Sequence, residues 1–412
     1  MSRRWAIFAI ASGNFFLSQF YRVSNAVISP QLLRDLSLDT AGLGLLTASF
    51  FYGFAITQIP ISIFLDRIGP RRMMAALSLI GIIGALIFSW ADTLGLGIVG
   101  RALLGLGMAC NLMGTLKLLT LWFGASSFAT LSGVVFSIGT LGNMVATTPL
   151  VMMVEKMGWR ATFQLIAAVN LLMVLIFYIV VRDEPKEESF GRSAAETGLA
   201  PRQALSDLML LLRQRDYWII SFGTFASYGI FAAFQALWAG PYLMEAMGLS
   251  ARNAGHIILL MNLGLILGGG IWGALSDRVM KTRKWPVFGG HIILGFIIMI
   301  VAVLPPGIGT PLLASLFFGF GFFRMTGALM YTQIKELMPI EMAGTAMTGI
   351  NFFTMIGSAV FLQGLGSLMQ YLYPETSRGP EAFRVAFFIC AICLVVLSFL
   401  YLFTQDTKTN SR

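Results

Sequence analysis

Four basic residues stand inside long apolar stretches of this 412-residue sequence: Arg22, Arg101, Lys117 and Arg324. All 19 Asp and Glu fall instead in polar segments or at the ends of apolar runs. A cation in the apolar middle of a bilayer costs ~2.5–3.5 kcal/mol on insertion scales, and a buried charge without a partner is costly in any setting. Fixed positive charge without matching negative charge suits one chemistry: reversible binding of an anion that arrives from water. The planar guanidinium fork fits a carboxylate well.

The neighbours of these cations extend the pattern. Asn14, Ser18, Arg22, Asn25 and Ser29 recur at helical spacing and form one polar face, which in a membrane helix should look at water or a solute. Tyr21 adjoins it. Arg324 shares a stripe with Phe317, Phe320, Gly327 and Tyr331. Two further stripes, Tyr228–Phe231–Gln235–Trp238 and Asn351–Thr354–Ser358, read equally as hydrogen-bonding groups for a carboxylate and as contacts between helices. The expected substrate-binding set is Arg22, Arg101, Lys117, Arg324, Tyr21, Asn25, Tyr228, Gln235, Trp238, Tyr331 and Asn351. For Arg101 a structural hydrogen-bonding role stands beside substrate contact. Lys117 lies about 160° round an ideal helix from Arg101, so the two share a face only if the helix bends. It also lies near enough to the end of its run to snorkel. His291 reads as an interfacial histidine before a proton carrier.

The elements that must position these groups are membrane helices. Hydrophobic residues make up 57% of the chain and charged residues 11%, against roughly 25% charged in soluble domains. Apolar runs near the ~20 residues that span a bilayer recur along the chain. They predict helices at approximately 5–30, 40–64, 73–91, 94–122, 127–154, 161–181, 217–244, 252–275, 286–304, 309–334, 343–369 and 383–403. The one long polar segment divides the chain into 1–182, a cytoplasmic central loop 183–214, and 215–412. With the N-terminus in the cytoplasm, eighteen of the 28 Lys and Arg fall on the cytoplasmic side and six outside. That bias predicts cytoplasmic N- and C-termini. It also explains the net charge of +9 by topology, which excludes nucleic acid as the implied partner. Arg3 and Arg4 anchor the first helix, whose run is too long for a cleaved signal. The three cysteines lie in apolar runs and read as packing. Gly95-x-Gly97-x-x-Gly100 follows no strand and opens an apolar helix, so it fails as a dinucleotide fingerprint. No metal cluster, catalytic triad or phosphate loop is legible; the chain is expected to be neither an enzyme nor a cofactor protein.

The chain repeats itself. After the second predicted helix comes Asp66-Arg67-Ile68-Gly69-Pro70-Arg71-Arg72; after the eighth comes Gly273-Ala274-Leu275-Ser276-Asp277-Arg278 with Lys281, Arg283 and Lys284. The copies are about half the chain apart, as in transporters built from internal repeats. These residues resemble the signature Gly-x-Leu-x-Asp-Arg-x-Gly-Arg-Arg of the major facilitator superfamily, with Ser62 and Phe64 replacing its leading Gly and Leu. Arg101-Ala102-Leu103-Leu104-Gly105-Leu106-Gly107 and Gly158-Trp159-Arg160-Ala161-Thr162-Phe163 are similar to two further motifs of that family. Tyr21-Arg22-Val23-Ser24-Asn25, the run Gly44 to Ala55 and Gln58-Ile59-Pro60 resemble its organic-anion branch, the anion:cation symporters. The resemblance implies an all-α membrane protein of twelve transmembrane helices in two pseudo-symmetric six-helix bundles. It implies a secondary transporter working by alternating access, with Arg22 and Arg101 at the anion. Asp66, Arg67, Arg71, Asp277 and Arg278 would form conformational latches. Where the branch often carries acids for proton coupling, this chain has Tyr21 and Met108.

The expectation is a monomer in the cytoplasmic (inner) membrane that moves a small organic anion, a carboxylate first; protons are the family's default coupling ion, and the missing acids leave uniport and anion exchange open. The alternative is proton-driven export of amphipathic drugs, against which stand the lack of a buried acid and the absence of proline from Gly139-Thr140-Leu141-Gly142.

Overall fold

A backbone in hydrocarbon has no water to satisfy its N–H and C=O groups, so long apolar runs become helices or closed barrels. The computed structural model describes residues 3–183, 211–338 and 340–407, and every regular element among them is helical. Ten helical stretches among the described residues are long and apolar enough to cross a bilayer. Two more crossings, α1 (Arg3–Val23) with α2 (Asn25–Asp35) and the stretch from Leu131 to Gly158, complete a twelve-crossing, two-bundle membrane fold. Large apolar side chains such as Leu172, Ile179, Phe296 and Ile392 are exposed on it, as a lipid-facing surface requires.

The chain divides into two compact units, Met1–Ser37 with Ser49–Leu199, and Leu38–Ala48 with Ala200–Arg412. The expected central loop lies, over 184–210, outside the described residues.

In the first unit the sequence predicts unbroken helices at 5–30 and 94–122, and the structure breaks both. The first stops at Val23, and Ser24 turns its hydroxyl onto the Tyr21 carbonyl at 3.1 Å. α2 then runs through Pro30, which cannot donate to the carbonyl four residues back; Ser29 Oγ donates to that Ala26 carbonyl instead, at 3.3 Å. After α3 (Thr40–Ile68) and α4 (Pro70–Ser89), α5 (Leu94–Met108) and α6 (Asn111–Val145) flank the second break. The carbonyls at its edge, Met108 and Ala109, accept from Ser18 Oγ at 3.2 Å and Gln58 Nε2 at 3.3 Å. Side chains of other helices thus satisfy the backbone that irregularity leaves open. α6 continues through the predicted turn near 123–126. α7 (Thr148–Val180) reverses at Gly158, whose φ of +78° only glycine adopts readily, so the fifth crossing ends later than the predicted 154.

The second unit repeats the scheme. α8 (Arg215–Ala233) continues through π-helical turns Phe234–Trp238 and Tyr242–Ala246. α9 (Ala251–Ala274) ends in a π-turn, Leu275–Met280, and α10 (Lys284–Val303) follows. α11 (Thr310–Arg324) gives way to a 3₁₀ turn, Met325–Ala328, before α12 (Leu329–Leu337). α13 (Ile340–Leu372) and α14 (Pro380–Tyr401) close the unit. Matching helix pairs approach equally closely in both units. Gly53 and Gly105 abut the backbone of Ala102 and Phe50 across α3 and α5; Gly264 and Gly321 abut Phe318 and Met261 across α9 and α11. Small residues permit this contact where hydrophobicity gives no driving force between helices.

Candidate anion sites in the two units

In the first unit, the break between α1 and α2 gathers four of the predicted residues. Arg22 is half-buried, donates from Nη1 to Gln19 Oε1 at 3.1 Å, and lies over the rings of Phe51 and Phe54 at 5.4 and 5.5 Å. Arg101 is fully buried, donates from Nη1 to the Tyr21 carbonyl at 2.9 Å, and faces Phe50 and Phe88 at 5.0 and 5.7 Å. Its Nε and Nη2 have no hydrogen-bond partner among the described residues. Tyr21 is buried against Phe20 and Phe163, and Asn25 is buried at the start of α2. Lys117 is half-buried on α6, beyond the second break.

In the second unit the centre is Arg324. It ends α11, is 6% exposed, and lies over Tyr228 at 4.9 Å and Phe231 at 5.5 Å. Its Nε and Nη1 have no hydrogen-bond partner among the described residues, and no carboxylate among them pairs with it. Tyr331 lies within its electrostatic reach. The Tyr331 hydroxyl is 2.7 Å from Thr354 Oγ1 and 3.5 Å from Asn351 Oδ1. Since Thr354 Oγ1 donates to the Ile350 carbonyl at 2.9 Å, Tyr331 is the donor to Thr354. Gln235 and Trp238 are tied to neighbouring helices: Gln235 Nε2 donates to Asn262 Oδ1 at 2.7 Å, and buried Trp238 donates to the Leu362 carbonyl at 3.1 Å. Two groups outside the predicted set stand beside Arg324. Ser227 Oγ and His291 Nε2 are 2.8 Å apart, both residues buried, and both border the space at Gly327 that Arg324 Nη1 also borders. Helical spacing alone could not join them, because they come from different helices.

The latch residues divide likewise. The Asp66 side chain lies outside the described residues; Arg67 is exposed. Arg71 donates from Nε and Nη2 to the Tyr178 carbonyl at 3.0 and 2.7 Å and stacks on the Tyr178 ring at 4.3 Å. Its backbone N–H donates to Asp183 at 2.7 Å. In the second copy Arg278 is exposed, and Arg283 holds the centre. Its guanidinium pairs with Asp277, with Glu336 at 2.9 Å, and donates to Ser276 Oγ at 2.9 Å. Burial alone would lower the Arg283 pKa; the hydrogen bonds and charges of Glu336 and Asp277 outweigh it and raise it. The sequence hid this because Arg283 sits in a basic run that topology already explained. Asp406 adds a cap, accepting from Thr282 Oγ1 at 2.5 Å and from the backbone N–H groups of Arg283 and Lys284 at 3.2 Å.

At the other end of the first unit Asp35 accepts from Trp159 Nε1 and Arg160 Nη1, both at 2.9 Å, while Arg160 also donates to the Ala91 carbonyl at 2.9 Å. Partial burial would raise the Asp35 pKa, but the Trp159 and Arg34 hydrogen bonds, with the Arg34 and Arg160 charges, hold it below the usual carboxylate range. This clasp gives the Gly158-Trp159-Arg160 motif its structural role. No group of three or more His, Cys, Asp or Glu among the described residues is arranged to hold a metal ion.

Known proteins share this architecture. The "Probable sulfoacetate transporter SauU" of Cupriavidus necator is 26% identical over 364 residues, covering 84% of each chain. The "Hexuronate transporter" of Bacillus subtilis is 24% identical over 339 residues, covering 79% of this chain and 78% of the other. A bacterial homologue of the human lysosomal transporter Spinster, solved inward-facing and unoccupied, superposes with a TM-score of 0.76 at 17% identity, covering 97% of this chain and 96% of that one. The Major Facilitator Superfamily model matches residues 10–362. With twelve crossings, repeated bundles and that match, the chain is a multi-pass membrane transporter, not an enzyme, and belongs to the Major Facilitator Superfamily.

Proposed function

We propose that this transporter carries a small organic anion, a sugar acid or another compact carboxylate or sulfonate, across the cytoplasmic membrane by alternating access. The observation that carries the reading is Arg324: a guanidinium 6% exposed in a membrane segment, with two nitrogens lacking hydrogen-bond partners among the described residues. Such a charge is costly until an anion meets it. In the first unit Arg22, held over two rings by cation–π contact, is also read as an anion contact. Relatives named for sulfoacetate and hexuronate point to the same substrate class. Tyr331 and Asn351, whose side chains meet at 3.5 Å, supply hydroxyl-recognising groups. The termini are cytoplasmic by charge bias. The two positions where the anion branch carries acids hold Tyr21 and Met108, both fully buried here, so any coupled proton rides on another group.

Thermal stabilisation of the purified chain by glucuronate, sulfoacetate, glucose and tetraphenylphosphonium tests the reading, because a ligand of the folded state raises apparent stability. Stabilisation by the two anions, lost in Arg324→Ala and reduced in Arg22→Ala, is expected. Stabilisation by the lipophilic cation alone overturns it in favour of drug export.

A further inference from the structure

His291 faces the interior although its helix carries exposed apolar residues such as Phe296. Gly290 makes this possible: the place of its missing Cβ is bordered by Thr326 of the 3₁₀ turn, so α10 approaches that turn closely. His291, 2% exposed, then reaches Ser227 on α8. At Gly327 the missing Cβ leaves a gap with Ser227 Oγ 3.1 Å and His291 Nε2 3.3 Å from it, and Arg324 Nη1 nearer still. Three helices therefore bring a cation, a hydroxyl and an imidazole to one small space. The guanidinium is confined on its other side by Tyr228 and Phe231.

A permanent cation orients a neighbouring dipole with its negative end inward. With the Ser227 lone pairs toward the guanidinium, its proton is directed to His291 Nε2, 2.8 Å away, which then accepts. Resting on the anion role of Arg324 proposed above, we infer that His291 and Ser227 are positioning residues that hold the Arg324 guanidinium at its anion-binding place, with Gly327 as the gap that admits it. Without an acceptor at His291, the Ser227 proton loses its partner and only the field of the cation orients the hydroxyl.

The test is the glucuronate dissociation constant of the full chain in detergent. His291→Leu removes the acceptor, and His291→Gln keeps one. The expected result is about tenfold weaker binding in His291→Leu and less than about twofold change in His291→Gln. In an Arg324→Ala background, where residual binding is measured at high glucuronate, His291→Leu should add nothing. Equal effects of Leu and Gln, or the same loss in both backgrounds, overturn the positioning role. If His291→Leu does not fold, Ser227→Ala carries the same comparison: weakening only when Arg324 is present supports the pair, and no weakening overturns it. Arg324→Ala with undiminished glucuronate binding removes the anion site itself; His291→Leu with wild-type binding, when Arg324→Ala has lost it, removes only the positioning pair.

Discussion

The Arg101 guanidinium donates through Nη1 to the Tyr21 carbonyl at 2.9 Å, at the point where the first helix stops. In an unbroken helix that carbonyl would be satisfied from within. Here Arg101 and Ser24 Oγ share it. A buried cation that caps a broken helix is a structural partner of its own bundle.

Arg101→Ala is accordingly expected to destabilise the protein by about 3 kcal/mol or more, from the lost charge-assisted bond and the cavity left between Phe50 and Phe88. Thermal unfolding in detergent without ligand checks this. An unchanged melting temperature with lost glucuronate binding would instead give Arg101 the substrate role.

Asp35 makes stability depend on acid. Its folded-state pKa lies below the unfolded value, so its contribution is complete above the unfolded pKa of about 4 and is lost as pH falls through the folded one. Asp35→Asn should melt below the wild type at pH 7, a loss of about 1–2 kcal/mol from its charged hydrogen bonds. The gap should narrow as pH falls below about 4 and toward the folded-state pKa. A gap of the same size at every pH would show that the carboxylate charge is not the cause.

The two arginines of the second cytoplasmic motif should separate cleanly. Arg278 is exposed, and Arg278→Ala is expected to change stability by less than about 0.5 kcal/mol. Arg283 is 5% exposed between Asp277 and Glu336; Arg283→Ala should cost about 1–3 kcal/mol through the lost hydrogen bonds of the buried guanidinium, since both carboxylates stay open to water. Unfolding of both variants decides which arginine organises the motif.

Much of the fold is legible in the order of residues. Apolar run length marks most of the crossings, because a helix must match the bilayer. The breaks at Ser24, at Ala109–Cys110 and at Met325–Ala328 are not legible there. Each depends on partners from elsewhere in the chain, such as Gln58 for Ala109, and periodicity sees only its own helix. The same limit makes Arg101 and Arg324 look alike in sequence. One meets a carbonyl 80 residues away, while the other meets two aromatic rings and a Ser–His pair.

By itself, then, the sequence determined that the chain crosses a membrane in a repeated helical fold and carries cations without internal acids, because composition, run length and charge placement are one-dimensional quantities. The tertiary structure alone decided that Arg101 caps a backbone carbonyl while Arg324 lies over two aromatic rings. It also decided that Arg283 rather than Arg278 centres the second motif, and that His291 stands beside Arg324. Those outcomes turn on a few ångströms between groups far apart in the chain, and no spacing rule along one helix fixes that distance.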